Sequence, residues 1–416
     1  MEYILGHKKE KSALQQTLLF SATLPKDLRS IMASHMRKDY MTVDCIHDVD
    51  PASHTNVNVD QSYVTLPMAD NNSRYISGLV DIVQDIIHIQ DPTSYKIVVF
   101  FPTTAQCQFF SHLFNEIYKI PVLEIHSKKT QANRTKVSSN FRKFTKGILF
   151  TTDVSARGVD YPNVSHVIQY GSAENRETYI HRLGRTGRAG KVGRGIIICG
   201  VQSEEKQFVK NELKGLDVKL DERYQSLLNG DMVVEDGDAG GGVNGYLKRK
   251  EINDTRLQKI ESSIANKTDP TLLKLAGGTY RSLLGYNMTQ MKNLGMNSKD
   301  EVVKYLNSLA MQMGFKKNDM PRVSPKIVQT LGLQKLNYLL NVGNPDGSGG
   351  GSSDGRGGRG GYDRLGGRDR ASSYEGGRSS DRLSYGGGRA DSYGRRGGRG
   401  ESRYGRGGRR DSYGER

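Results

Sequence analysis

Cysteine is scarce in these 416 residues: Cys45, Cys107 and Cys199 stand far apart and never in a C-x-x-C spacing. That disfavours a disulfide framework and a cysteine-based zinc site, and makes a reducing interior the expected setting. Long apolar runs are missing too. No stretch approaches the ~20 residues of a membrane span, so no membrane is expected among the partners. The first residues show neither a signal-peptide core nor an Arg- and Ser-rich transit pattern. Apolar residues make up only 35% of the chain while Gly numbers 49, so some stretch cannot be globular. Gly343 to Arg416 is that stretch: it holds 25 Gly, 16 Arg, no Lys, and only Leu365 and Leu383 as large aliphatics. It cannot bury enough apolar surface to offset its ordering entropy, and reads as a disordered Arg/Gly-rich tail. The remaining residues suffice for two compact units at about 100–200 residues each. Charge is what the chain has in excess. Lys+Arg 61 against Asp+Glu 45 gives +16 at pH 7, which points to a polyanionic partner.

The opening residues read as strand, helix, strand: an apolar run at Thr17-Leu18-Leu19-Phe20, a helix after Pro25, and an extended Met41-Thr42-Val43. From about Val57 apolar strands alternate with helices. The strands are expected at Ile97 to Phe101, Val122 to Ile125, Ile148 to Thr152, Val164 to Tyr170 and Ile196 to Gly200. The helices are expected at Ile76 to Ile89, Ala105 to Tyr118, Gln131 to Phe144, Glu177 to Leu183 and Glu204 to Leu216. Such alternation predicts an α/β fold with a parallel sheet covered on both faces. Ligands in these folds bind beyond the carboxyl ends of the strands. Asp236 to Gly245 reads as a linker by composition, and Thr271 to Val342 as a small basic helical extension. The tail repeats Arg-Gly-Gly (at Arg356, Arg359, Arg396 and Arg406) and Asp-Ser-Tyr-Gly (at Asp391 and Asp411).

Three segments carry the chemistry. Thr151 to Asp160 combines hydroxyls, two carboxylates, and a Gly and an Arg able to approach phosphates; composition alone also fits a loop with capping hydroxyls. Tyr179 to Arg188 sets Arg at three-residue intervals with Gly between, and a guanidinium fork suits phosphate oxygens. A solvated basic loop would look similar. Phe20-Ser21-Ala22-Thr23-Leu24-Pro25 ends a strand with two hydroxyls, as a helix N-cap also would.

Taken together and in chain order, these segments resemble a known set. Ser21-Ala22-Thr23, Val98 to Thr103, Gln131-Ala132-Asn133-Arg134, Thr152-Asp153 with Ala156 to Asp160, and His181 to Arg188 are similar to the later motifs of DEAD-box RNA helicases. The resemblance covers roughly Thr17 to Leu216. Tyr280-Arg281-Ser282-Leu283-Leu284-Gly285-Tyr286, with the basic helices and Arg-rich tail, resembles the extension of the mitochondrial intron-splicing RNA chaperones of that family. A mitochondrial setting is what this subgroup suggests.

The resemblance implies a RecA-like C-terminal helicase lobe over 57–216, a helical extension over 217–342, and a disordered RNA-binding tail over 343–416. Residues 1–45 would be the end of a first lobe. No G-x-x-x-x-G-K-(S/T) phosphate loop and no Asp-Glu-Ala-Asp box are present. In the family both lie upstream, which implies a fragment, an incomplete gene model or a truncated product. The family's roles carry over by position. Arg185 and Arg188 match the catalytic arginine fingers, and Asp160 the carboxylate at the nucleotide ribose. Ser21, Thr23 and His181 match residues that couple the two lobes. Thr103, Arg134, Thr152, Arg157 and Gly158 match contacts to the RNA backbone. ATP with Mg²⁺ is the implied cofactor, its metal ligands expected in the other lobe. RNA is the implied partner, bound without sequence preference, with ribonucleoprotein partners through the tail. Two rivals stand beside this reading: a non-catalytic RNA-binding or annealing module, and a DNA helicase sharing the same sheet. The wording of the motifs and the Arg-Gly tail disfavour the second.

Overall fold

Polar residues that lie far apart in the chain meet inside one sheet. The computed structural model describes residues 18–19, 30, 32–34, 36–43, 58–67, 74–90, 93–155, 159–231 and 242–345. Seven strands are β1 (Val59–Thr65), β2 (Lys96–Phe100), β3 (Leu123–Ile125), β4 (Gly147–Thr151), β5 (His166–Tyr170), β6 (Gly193–Cys199) and β7 (Val218–Leu220). They lie in the order β3-β4-β2-β5-β6-β1-β7, and every pairing is parallel.

Parallel strands need crossovers, and helices α1 (Ser77–Asp85), α2 (Thr104–His112), α3 (Gln131–Lys143), α4 (Arg176–Leu183) and α5 (Gln202–Glu204) lie in all but the one from β4 to β5, with α6 (Glu222–Asn229) after β7. α1, α2 and α5 continue as wider-wound turns through Ile86–Gln90, Leu113–Tyr118 and Glu205–Glu212. Short polar residues start them. The side chains of Thr103, Thr130, Asn175 and Asp221 each accept a backbone N–H of the first turn that has no partner within the helix.

Alternate residues of a strand face opposite ways, and here both faces are dry. Ile97, Val99, Phe150, Ile168 and Ile198 join one apolar cluster with α1 and α2. Val98, Phe100, Leu149 and Val167 join Phe141 and Tyr161 on the other face. Ile197 and Cys199 meet Tyr179, Leu183 and Phe208 there. Cys107 and Cys199 are buried free thiols. Among the described residues no helix is long and apolar enough to cross a membrane.

The extension consists of α7 (Gly242–Ala265), α8 (Pro270–Thr289), α9 (Met291–Leu294), α10 (Lys299–Gln312) and α11 (Pro325–Thr330). Asp269 and Ser324 cap α8 and α11, each with Pro in the first turn, where its missing N–H costs nothing. Ile260, Leu272, Tyr280, Leu284, Val302 and Leu306 belong to the same apolar cluster as the first face of the sheet. The extension therefore shares a core with the α/β part.

Several expectations need correction. β1 and β7 form where no strand was expected, and β6 starts at Gly193 rather than Ile196. β1 reads poorly because it is polar: Ser62 donates to Asp221 at 3.0 Å, and Tyr179 donates to Gln61 at 2.9 Å. Gly242 to Gly245, expected in a linker, open α7 instead. Met41 to Val43 belong to no strand and lie exposed. Leu18 and Leu19 of the expected Thr17–Phe20 strand belong to no strand and lie exposed, while Thr17, Phe20, most of the expected linker and the tail from 346 onward lie outside the described residues.

Glycines separate tight from open places. A Cβ on Gly193 would clash with Thr186 Oγ1 and meet the backbone nitrogen of Gly187 at 2.6 Å, whereas one on Gly278 in α8 would meet nothing within 4 Å. Gly193→Ala should destabilise the fold by about 1–3 kcal/mol through overpacking. Gly278→Ala should stabilise it by about 0.5–1 kcal/mol through helix propensity. Urea unfolding of the two variants beside the parent chain tests both signs.

Candidate functional site

Because β5 and β6 are parallel, α4 must run back between them, and its C-terminal end lies by the strand starts. Gly184 caps it, and the following turn uses positive φ at Gly187 (+66°), Ala189 (+55°) and Gly190 (+75°). Thr186 donates to the carbonyl of Val164, at 2.5 Å, just before β5. Arg185 and Arg188 therefore sit at the N-terminal edge of the sheet, which corrects the expectation that function gathers beyond the strand carboxyl ends.

There the chain brings three site residues together. Arg188 Nη1 donates to Asp160 Oδ1 at 2.5 Å, and its Nε donates to the Gly184 carbonyl at 2.7 Å. Arg185 donates to the Val159 carbonyl and, at 3.3 Å, to that of His181. Burial pushes Arg185 down to about 10, and the charge of Arg188 adds to it while Asp160 opposes. The Arg185 guanidinium remains charged at neutral pH. Two cations this close favour an anion beside them, and Asp160 supplies one charge. Its side chain is 65% exposed, and exposed pairs of this kind are worth about 0–1 kcal/mol. A phosphate can displace it cheaply.

A second group lies where β2, β3 and β4 end. Thr103 caps α2, its Oγ1 accepting the Gln106 N–H at 3.2 Å, and meets Ser282 Oγ at 2.9 Å. Thr152 follows β4 and is buried, while Arg134 lies half-buried in the first turn of α3. Nearby, burial raises the Glu124 carboxyl, but hydrogen bonds from His126 and Lys129 outweigh it and hold it at about 2. His126 Nε2 stands 3.4 Å from Glu124 Oε2. No direct hydrogen bond joins Thr103, Arg134 and Thr152 among the described residues. His181 is half-buried on α4. Ser21, Thr23, Arg157 and Gly158 lie outside the described residues.

Residue-by-residue reading missed the link between the groups. Arg182 is buried, and its fork donates to Asp153 at 2.7 and 2.9 Å. Its guanidinium lies 5.6 Å from the centre of the Phe100 ring, with Gln169 Oε1 accepting at 3.5 Å. One fork thus ties the turn after Thr152 to the helix that carries His181 and leads to Arg185. The available signal was a carboxylate directly after a strand, with an arginine on the apolar side of a helix beside Tyr179 and Leu183.

Known proteins match this arrangement. The family model of the helicase conserved C-terminal domain matches residues 78–190. DEAD-box ATP-dependent RNA helicase 31 of Arabidopsis thaliana is 33% identical over 314 residues, 76% of this chain and 37% of that protein. The mitochondrial ATP-dependent RNA helicase mss116 of Aspergillus fumigatus is 30% identical over 334 residues, 77% of this chain and 47% of that protein. The chain thus spans less than half the length of these relatives. A solved structure of Mss116p bound to ssRNA and AMP-PNP superposes with a TM-score of 0.58 at 25% identity, covering 82% of this chain and 60% of that one. Sheet, helical extension and relatives agree over three quarters of the sequence, and the chain belongs to the DEAD-box RNA helicase family, whose C-terminal helicase domain it carries.

Proposed function

We propose that this chain forms the closing half of an ATP-dependent RNA helicase that remodels RNA duplexes, in the manner of an RNA chaperone. The observation that carries the reading is the Arg185–Arg188–Asp160 group: Arg188 is paired to one exposed carboxylate, and Arg185, held by the Val159 and His181 carbonyls, stands beside it. On closure against a lobe holding Mg²⁺ and ATP, the γ-phosphate takes the place of Asp160 beside Arg188. The guanidiniums then neutralise charge developing on the transferred phosphoryl group. Asp160, released, meets the nucleotide ribose. Mg²⁺ supplies further charge neutralisation from the facing lobe. His181, with Ser21 and Thr23, couples the two lobes.

RNA lies at the strand carboxyl ends, against Thr103, Arg134, Thr152, Arg157 and Gly158. Contacts to the sugar-phosphate backbone position a strand without reading its sequence. In this reading residues 1–45 end a first lobe, 57–216 form the second, 217–342 the extension and 343–416 an RNA-binding tail. The tail offers Arg and six Tyr among Gly, which suits single strands. A second reading has an observation of its own. The 416 residues hold no phosphate loop of the G-x-x-x-x-G-K-(S/T) kind, so this polypeptide alone acts as an RNA-binding or annealing module.

Three outcomes follow. The purified chain should bind RNA without significant ATP turnover, because nothing in it holds the phosphates for the arginines; RNA-stimulated phosphate release, free of contaminating ATPase, would contradict this. In a protein completed with a phosphate-loop lobe, Arg188→Ala should lower kcat by roughly 10³-fold or more and leave RNA affinity nearly intact. An unchanged kcat with weakened RNA binding would make Arg188 an RNA contact. Deleting 343–416 should weaken RNA binding and flatten its salt dependence, by about 0.7 in log–log slope for each RNA phosphate that the tail had neutralised. Parallel salt titrations of intact and truncated chains would instead leave the tail off the RNA.

A further inference from the structure

The strip Tyr280 to Tyr286 is where α8 meets the strand carboxyl ends. Tyr286 donates to the Ser172 carbonyl at 3.0 Å, just after β5, and Thr279 Oγ1 lies 3.0 Å from the Leu275 carbonyl and 3.3 Å from the Ala105 carbonyl of α2. Tyr280 donates to Asn307 at 2.7 Å, holding α8 against α10. Ser282 is the member of this strip that touches a site residue, Thr103, at 2.9 Å.

Either hydroxyl could donate in that bond, and we assign its direction by the stronger acceptor. A serine hydroxyl has one proton, and Ser282 places it on the Thr279 carbonyl at 3.0 Å, a stronger acceptor than a hydroxyl. On that assignment Ser282 offers Thr103 a lone pair, and Thr103 donates to it. Thr103 Oγ1 already accepts the Gln106 N–H at 3.2 Å as the cap of α2. Its proton and one lone pair are used; one lone pair remains. On that assignment the half-buried Thr103 keeps one lone pair and no proton for a ligand.

A phosphate oxygen only accepts hydrogen bonds, and gains nothing from such a group. A ribose 2′-hydroxyl donates, and DNA has none. We propose that Ser282 is a specificity-determining positioning residue: by taking the proton of Thr103, it turns that hydroxyl toward the 2′-OH of RNA and away from phosphate. The extension thereby sets sugar selectivity at a contact of the helicase lobe. The inference rests on the reading of Thr103 as an RNA contact.

The test compares affinities of the full chain for one sequence as single-stranded RNA and as DNA, by fluorescence anisotropy. Salt is kept at roughly 0.3 M, so that contacts of the basic tail are weakened. In the parent chain, RNA should bind more tightly. Ser282→Ala frees the Thr103 proton for phosphate, so DNA binding should tighten by roughly 3- to 10-fold, the worth of about one hydrogen bond. RNA binding should change less, and the RNA-to-DNA preference should fall by a similar factor. Ser282→Thr keeps the hydroxyl and should keep the preference. In a Thr103→Val background, Ser282→Ala should change neither affinity, with thermal melting confirming that the variants fold. An unchanged preference in Ser282→Ala, with RNA binding weakened by Thr103→Val, would overturn the role of Ser282 and leave Thr103 as an RNA contact. If Thr103→Val leaves RNA affinity untouched, the reading of Thr103 fails, and with it the inference.

Discussion

A guanidinium taken out of water needs an anion to meet it, and Arg182 is 1% exposed. Removing one partner of such a buried pair generally costs about 3–5 kcal/mol, less where the partner reaches water as Asp153 does. The bidentate fork therefore allows α4 and the turn after β4 one relation to each other. Much of the site is arranged around that relation. Thr152 precedes Asp153 in the chain, and Arg185 follows Arg182 by three residues. A helix of eight residues thus connects the turn after β4 with the other edge of the sheet.

The helical extension imposes a second constraint. Its apolar residues continue the core on one face of the sheet, so it cannot swing away without exposing that face. Glu204 strengthens the junction. It is buried, and burial raises its carboxyl, yet it accepts from the Ser172 N–H at 2.7 Å and the Gly200 N–H at 2.6 Å. Those bonds hold the turns after β5 and β6 beneath α8, with Tyr286 closing over Ser172. The extension is built as a wall along the strand carboxyl ends.

The sequence made the middle of this fold legible, because β2 and β4 are largely apolar runs and the helices after β2 and β5 begin at clear caps. β1 stayed hidden because Gln61, Ser62 and Thr65 are satisfied by Tyr179, Asp221 and Gln225, groups more than a hundred residues away. β7 has three residues, partly exposed, too few to show a period. At the site, Arg185, Arg188 and Asp160 could be named from their place in the motifs. Their common edge could not, because it follows from α4 running back along the sheet. Arg182 read as one more basic residue in a polar stretch; only packing against Phe100 shows it as part of the interior.

The two arginine–carboxylate pairs on α4 and the turn that ends it differ in their exposure to water. Arg182 meets Asp153 with its guanidinium buried, where letting go would strand a charge in the core. Arg188 meets Asp160 with side chains 33% and 65% exposed, so water can replace either partner at little cost. The first pair suits a part that must not move while the second exchanges its anion. Charge that must act on a passing phosphate needs a partner weak enough to leave and a support that stays behind, and the lobe places one of each on a single short helix and the turn that ends it.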